Sequence, residues 1–194
     1  MRGDFTRSTF EAARHYRAVR LQQGRVTLDA DWNEQADIVA HRVETETLDV
    51  VGHCAGPLAA AGFHLVASAA QLSPAELARP ENQGASALAG PGDFYVSGGR
   101  YYADGTLIEN EKIVAYSAQP DLPGAALPST SGTYVAYVDV WDRHITALED
   151  PAIREVALGG PDTATRLKAL WQVKLVRIGD VDAAARCLSD FAAL

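Results

Sequence analysis

The chain has 194 residues, enough for one sizeable domain or two small ones with a real core. Its 47% hydrophobic content excludes wholesale disorder. A net charge of -8 and a pI near 5.0 argue against a general nucleic-acid binder, which needs surplus Lys and Arg to neutralise phosphates, and give no reason for attraction to an anionic membrane.

The two cysteines, Cys54 and Cys187, are too few for a metal framework or a disulfide scaffold and are expected to be free thiols. "MRGDFTRSTF" lacks the apolar core of a secretory signal, and no apolar run reaches the length of a membrane-spanning helix. The expectation is a soluble chain made in the cytoplasm, without membrane insertion, that could end in an extracellular or cell-released particle.

Residues 1–20 are polar and Arg-rich, with Phe5, Phe10 and Tyr16 scattered among them. So few apolar groups make no independent unit, and the arm is expected to lie on another element. "RLQQGRVTLDA" reads as a short strand or extended lead-in. From Asp31 the period changes: Trp32, Ala36, Val39, Val43 and Val50 fall near one face of a long helix, predicting a buried stripe. "GHCAGP" ends that helix, with Gly52 as its stop.

The following Ala-, Gly- and Pro-rich stretch holds one strand-like piece, "GFHLVAS", and "SPAELARPEN", which suits a helical turn or two. In "RYYADGTLIENE", Asp104-Gly105 between apolar pairs predicts a hairpin turn. "TYVAYVDVW" alternates with bulky residues on both faces, predicting a central or interface strand. "EDPAIREVALGG" reads as a short helix, with Pro151 in its first turn and Gly159-Gly160 at its end. "LKALWQVKLVRIG" returns as a strand, and "DVDAAARCLSDFAAL" as a short helix or a cut edge. With no clear closing element, the chain is expected to be the N-terminal part of a longer design or a subunit completed by neighbours.

Candidate chemistry is sparse. Asp29, Asp31 and Asn33 stand at the first spacings of a calcium loop, but Glu34 sits where the loop needs Gly and Ala40 where it needs a bidentate Glu. A helix start explains them better: Asp31 as N-cap accepts the Glu34 N–H, and Glu34 reaches back to the Asp31 N–H. His15, His41, His53, His64 and His144 form no metal-ligand spacing. His144, with Asp142, Glu149 and Asp150 nearby, could act as a general base, yet no nucleophile motif accompanies it. "SGGRYYADG" and "LGGPDTATR" lack phosphate-loop spacing and read as turns. Tyr101, Tyr102, Trp141 and Trp171 could stack on a ligand, though aromatic residues on strands more often pack in cores or interfaces. No cofactor or metal is predicted.

"GRVTLDADWNEQADI" resembles the strand-to-helix segment of phage tail-fibre and baseplate-attachment proteins, through Gly24, Leu28, Ala30, Asn33, Glu34 and Gln35. Their downstream hairpin block is matched by Gly99, Tyr102, Asp104, Gly105 and Glu109. Nearly the whole chain is also similar to a bacterial family without an assigned function that carries "GDF(T/S)R-x-TF", "QQGRV-x-LDADWNEQ" and "DVW-x-RHITALEDP-x-IREVALGGPDTATR". These correspond here to Gly3–Phe10, Gln22–Gln35 and Asp139–Arg166.

The phage-tail resemblance implies a non-enzymatic structural subunit of a tail fibre, baseplate or contractile injection device. It would be a homo-oligomer, with a trimer favoured, contacting other tail or baseplate subunits.

The expected fold is α+β. An N-terminal arm, strand and oligomerisation helix (1–53) precede a mostly antiparallel β-rich body (54–194), either as two parts or as one continuous domain. Asp31, Asn33 and Glu34 would start the helix, Trp32, Val39 and Val43 would form its buried stripe, and Asp104 and Gly105 would make the hairpin. The alternatives are a glycan- or protein-binding module using Tyr101, Tyr102, Trp141 or Trp171, and a cell-surface hydrolase using His144 and Asp142.

Overall fold

The computed structural model describes residues 3–122, 124–128 and 132–179. The segment predicted as a terminal helix or cut edge, with Cys187, lies outside the described residues. The fold is α+β, one long helix with mostly antiparallel sheets. Described residues fall into two compact units. One gathers those of Met1–Ala55, Tyr102–Leu107 and Asp142–Ala169, the other those of Gly56–Tyr101, Ile108–Trp141 and Leu170–Leu194. Both units are discontinuous in sequence.

In the first unit, helix α1 spans Asp29–Val51. It starts three residues before the position expected, so Asp31 is not its N-cap. Leu28 holds that place in an extended conformation, and the Asp31 carboxylate reaches back to accept the Leu28 N–H at 3.4 Å. Leu28 has no side-chain acceptor to return the bond, so half of a capping box forms, aided by two acids in the first turn. The helix ends at Gly52, whose N–H donates to the Leu48 carbonyl at 2.9 Å. Strand β1 (Cys54–Ala55) then pairs antiparallel with β4 (Gly99–Ala103), Cys54 opposite Ala103 and Ala55 opposite Tyr102. β4 and β5 (Thr106–Asn110) form the predicted hairpin, with Asp104 and Gly105 at its turn. The segment read as a helix after Pro151 is instead two 3-10 turns, Pro151–Ile153 and Val156–Leu158. The Asp150 carboxylate holds the Ala152 N–H and that of Glu155 the Ala157 N–H, local bonds that favour single turns over a continuing helix.

In the second unit, β2 (Leu65–Val66), β3 (Tyr95–Val96) and β6 (Val114–Ala115) form an antiparallel sheet in the order β2-β3-β6. α2 (Pro74–Leu77) is a single turn. The Ser73 side chain and N–H, then His64, hold the Glu76 carboxyl down to about 2. Gly98 and Gly99 make a close approach, not the turn expected of "SGGR": a Cβ on Gly98 would lie 2.7 Å from the Glu81 carbonyl. Strands β7 (Thr133–Ile145) and β8 (Arg166–Gly179) pair in a two-stranded sheet, so β7 is not the central strand of a wider sheet among the described residues.

Val96, Tyr116 and Val173 centre this unit's core, with Phe63, Phe94 and Leu175 against them. The Phe94 and Tyr116 rings stack at 4.8 Å. Gln119, 2% exposed, stands in for a neighbouring strand: its Nε2 donates to the Val173 carbonyl at 3.0 Å and its Oε1 accepts the Val173 N–H at 2.6 Å. Asp93 is likewise buried, and burial alone would raise its pKa. N–H donors of Ala89, Phe94 and Ser117 with the Ser117 hydroxyl outweigh that and leave it lowered.

Candidate assembly site on the long helix

The arm does lie on another element, and that element is α1. It is held by polar groups, not by backbone pairing. The Thr6 N–H donates to Asp29 Oδ2 at 2.9 Å and the Thr6 hydroxyl donates to Oδ1. These bonds lower the Asp29 pKa, the hydroxyl contributing most. The Thr9 hydroxyl donates to Glu34. After the arm doubles back, the Val19 N–H donates to Gln35 Oε1 at 2.9 Å. Farther along, Phe10 meets the His41 ring at 5.6 Å. There the arm and helix enclose an open cleft of about 650 Å³ edged by Tyr16, Arg42 and Asp49.

These contacts turn the polar face of α1 inward, with only Ala30 and Ile38 fully buried. The predicted apolar stripe is therefore exposed, not buried, in the single chain. Trp32 is 64% exposed, Val39 51%, Val43 55% and Val50 80%. The physical reason is competition for the inner face. Asp29, Glu34 and Gln35 supply hydrogen-bond acceptors that the arm's donors need, which the stripe cannot offer.

The hairpin turn meets the middle of the same helix. Gly105 adopts φ +83, and a Cβ there would lie 2.4 Å from the Glu44 carbonyl oxygen. Asp104 takes φ +46, and its Oδ1 accepts a hydrogen bond from His53 Nδ1 at 2.7 Å.

Nearer the helix start, Phe5 and Arg7 of the arm, Asn33, Glu34 and Asp37 of α1 and His144 of β7 line a cavity of about 190 Å³. Phe5 lies 5.8 Å from the His144 ring, at an interplanar angle of 47°. The acids expected around His144 are otherwise engaged: Glu149 pairs with Arg143 at 2.7 Å, and Asp150 caps Ala152. Asp142 is exposed.

The four aromatic residues considered as a stacking platform do not form one open surface. Trp171 meets Phe63 edge-on at 4.8 Å and donates its indole N–H to the Glu109 carbonyl at 2.8 Å. Tyr101 packs on the same Phe63 at 5.9 Å. Tyr102 and Trp141 are half-buried. Among the described residues, no group of three or more His, Cys, Asp or Glu side chains could hold a metal ion, and no helix is long and apolar enough to cross a membrane.

Sequence reasoning missed Asp29, Gln35 and Asp37 as working residues. Their partners or neighbours in the arm lie many residues away, and no periodicity connects them. Neither a curated protein nor a solved structure matches the chain. One family does: its sequence model covers residues 1–193, and the chain belongs to this family of unknown function, DUF6519.

Proposed function

We propose that the chain is a non-enzymatic structural subunit that associates with copies of itself through the outward face of α1, as part of a phage-tail-like particle. The observation that carries this reading is the exposed stripe. Trp32, Ala36, Val39, Val43 and Val50 follow one another at spacings of four, three, four and seven residues. That alternation is the seam of a left-handed helical bundle, and a second copy presents the same seam. The helix does not cover the stripe with its own arm, whose polar anchors are Asp29, Glu34 and Gln35, none of them stripe residues. Full burial of one Val-sized side chain contributes about 1.5–3 kcal/mol, and a tryptophan more. The resemblance of Gly24–Gln35 and Gly99–Glu109 to tail-fibre and baseplate-attachment segments supplies the particle class and the expectation of a trimer.

Size-exclusion chromatography with light scattering tests the first part. The wild type is expected to run as an oligomer at micromolar concentration, and Trp32→Ser with Val39→Ser as a folded monomer. A wild type that is already monomeric defeats the proposal. For the particle class, the chain is expected to co-purify with sheath, tube or baseplate proteins from its own cells. A particle fraction lacking it removes that part while leaving self-association standing.

A further inference from the structure

The cavity beside His144 plays no part in the helix seam, and its chemistry points to a ligand. It is assembled from four stretches distant in sequence: the arm, the first turns of α1, the end of β7, and Thr165 and Leu167 at the start of β8. The arm is pinned on both sides of Arg7, by Thr6 on Asp29 and Thr9 on Glu34. The cavity is therefore shaped before anything enters it, which lowers the ordering entropy of binding.

One wall is the ring pair of Phe5 and His144, and Phe5 is 36% exposed. The opposite wall is polar and mixed in kind. Asn33 can donate and accept, Glu34 and Asp37 accept, and Arg7 donates. Asp37 is half-buried, yet its side chain, like those of Arg7 and Asn33, makes no hydrogen bond or ion pair among the described residues. These side chains therefore leave donors and acceptors of both kinds open to a ligand.

Size and charge narrow the class. A volume of about 190 Å³ equals about six waters at their share of liquid volume. That accommodates one small ring and falls short of the roughly 300–1,000 Å³ typical of pockets for larger ligands. Two carboxylates against one guanidinium repel a multiply charged anion. A ligand that both donates and accepts at several adjacent positions, carries no charge and offers an apolar C–H face to an aromatic ring satisfies every wall. We propose that this cavity binds a single neutral sugar ring, its C–H face on Phe5 and its hydroxyls shared among Asn33, Glu34, Asp37 and Arg7. The proposal stands apart from the helix seam, since Ala36 alone of the stripe residues reaches the cavity lining and the groups that would hold the sugar lie off the stripe.

The test uses the full chain with glucose, galactose, mannose and N-acetylglucosamine, read by saturation-transfer NMR and isothermal titration. At least one is expected to bind saturably in the millimolar range. Phe5→Ala and Asp37→Ala are expected to weaken it at least tenfold. Asp37→Asn, which keeps the side-chain shape, separates lost recognition from lost folding: weakened binding with unchanged circular dichroism supports the site. Absence of saturable binding to all four sugars overturns the proposal, as does unchanged affinity in Asp37→Asn together with Phe5→Ala. Equal competition by glycine or a simple amine overturns the ligand class.

Discussion

Replacing Gly105 by alanine tests how the β4–β5 hairpin is seated on α1. Two separable penalties follow from the geometry. The backbone φ of +83 places an L-residue in the left-handed region, at about 1–2 kcal/mol. The new Cβ would also meet the Glu44 carbonyl oxygen at 2.4 Å, so the turn or the helix must move. Overpacking of this kind costs about 1–3 kcal/mol more. Gly159→Ala isolates the first term, because Gly159 lies in the same unit with φ +87 and nothing within 4 Å of a built Cβ. Urea unfolding followed by far-UV circular dichroism is expected to show Gly159→Ala down by about 1–2 kcal/mol and Gly105→Ala by about 2–5 kcal/mol. If the two substitutions cost the same, the hairpin does not bear on Glu44 and the seating is wrong.

Other consequences are equally open to measurement. α1 carries seven acidic side chains and one Arg, so copies joined along an apolar seam repel through their charges. The oligomer is therefore expected to tighten as salt rises, which sedimentation equilibrium reads directly; weakening with salt would point to ion pairs instead. Asp29 has its pKa lowered chiefly by the Thr6 hydroxyl and then by the Thr6 N–H. A lowered folded-state pKa means the bond's contribution is full above the ordinary carboxylate range and fades as pH falls through the lowered value. Hydrogen exchange in the arm is expected to rise in acid beyond its intrinsic pH dependence, and Asp29→Asn to remove that excess. Asp93→Ala leaves three backbone N–H groups and the Ser117 hydroxyl without their acceptor. It is expected to destabilise the second unit by about 2–4 kcal/mol, against near-neutrality for Asp139→Ala at a partly exposed pair.

Local chemistry was legible where the chain signals to itself over a few residues. The Asp104-Gly105 turn and the stop at Gly52 follow from backbone conformations that few residues adopt. The strands around Tyr134 and Trp171 follow from alternation. The helix start was misplaced by three residues because several acids compete for the cap, and the arm decides among them. Thr6 takes Asp29 and Thr9 takes Glu34, over separations of 23 and 25 residues. The same distant choice turned the apolar stripe outward: periodicity identifies a face but not what covers it. The cavity beside His144 was invisible for the same reason, since its walls meet only after the arm is folded back.

An arm laid along one flank of α1 also limits how many neighbours the helix can take. A bare amphipathic helix can be approached from most directions and adds partners without limit. A helix with its own chain laid along it offers fewer approach azimuths, which lowers the valence of each copy. If the copies do join there, growth ends in a closed ring or pair, not an open sheet or fibre. The Thr6 and Thr9 hydroxyls would then act as terminators of assembly, setting how large the object becomes without touching the seam that builds it.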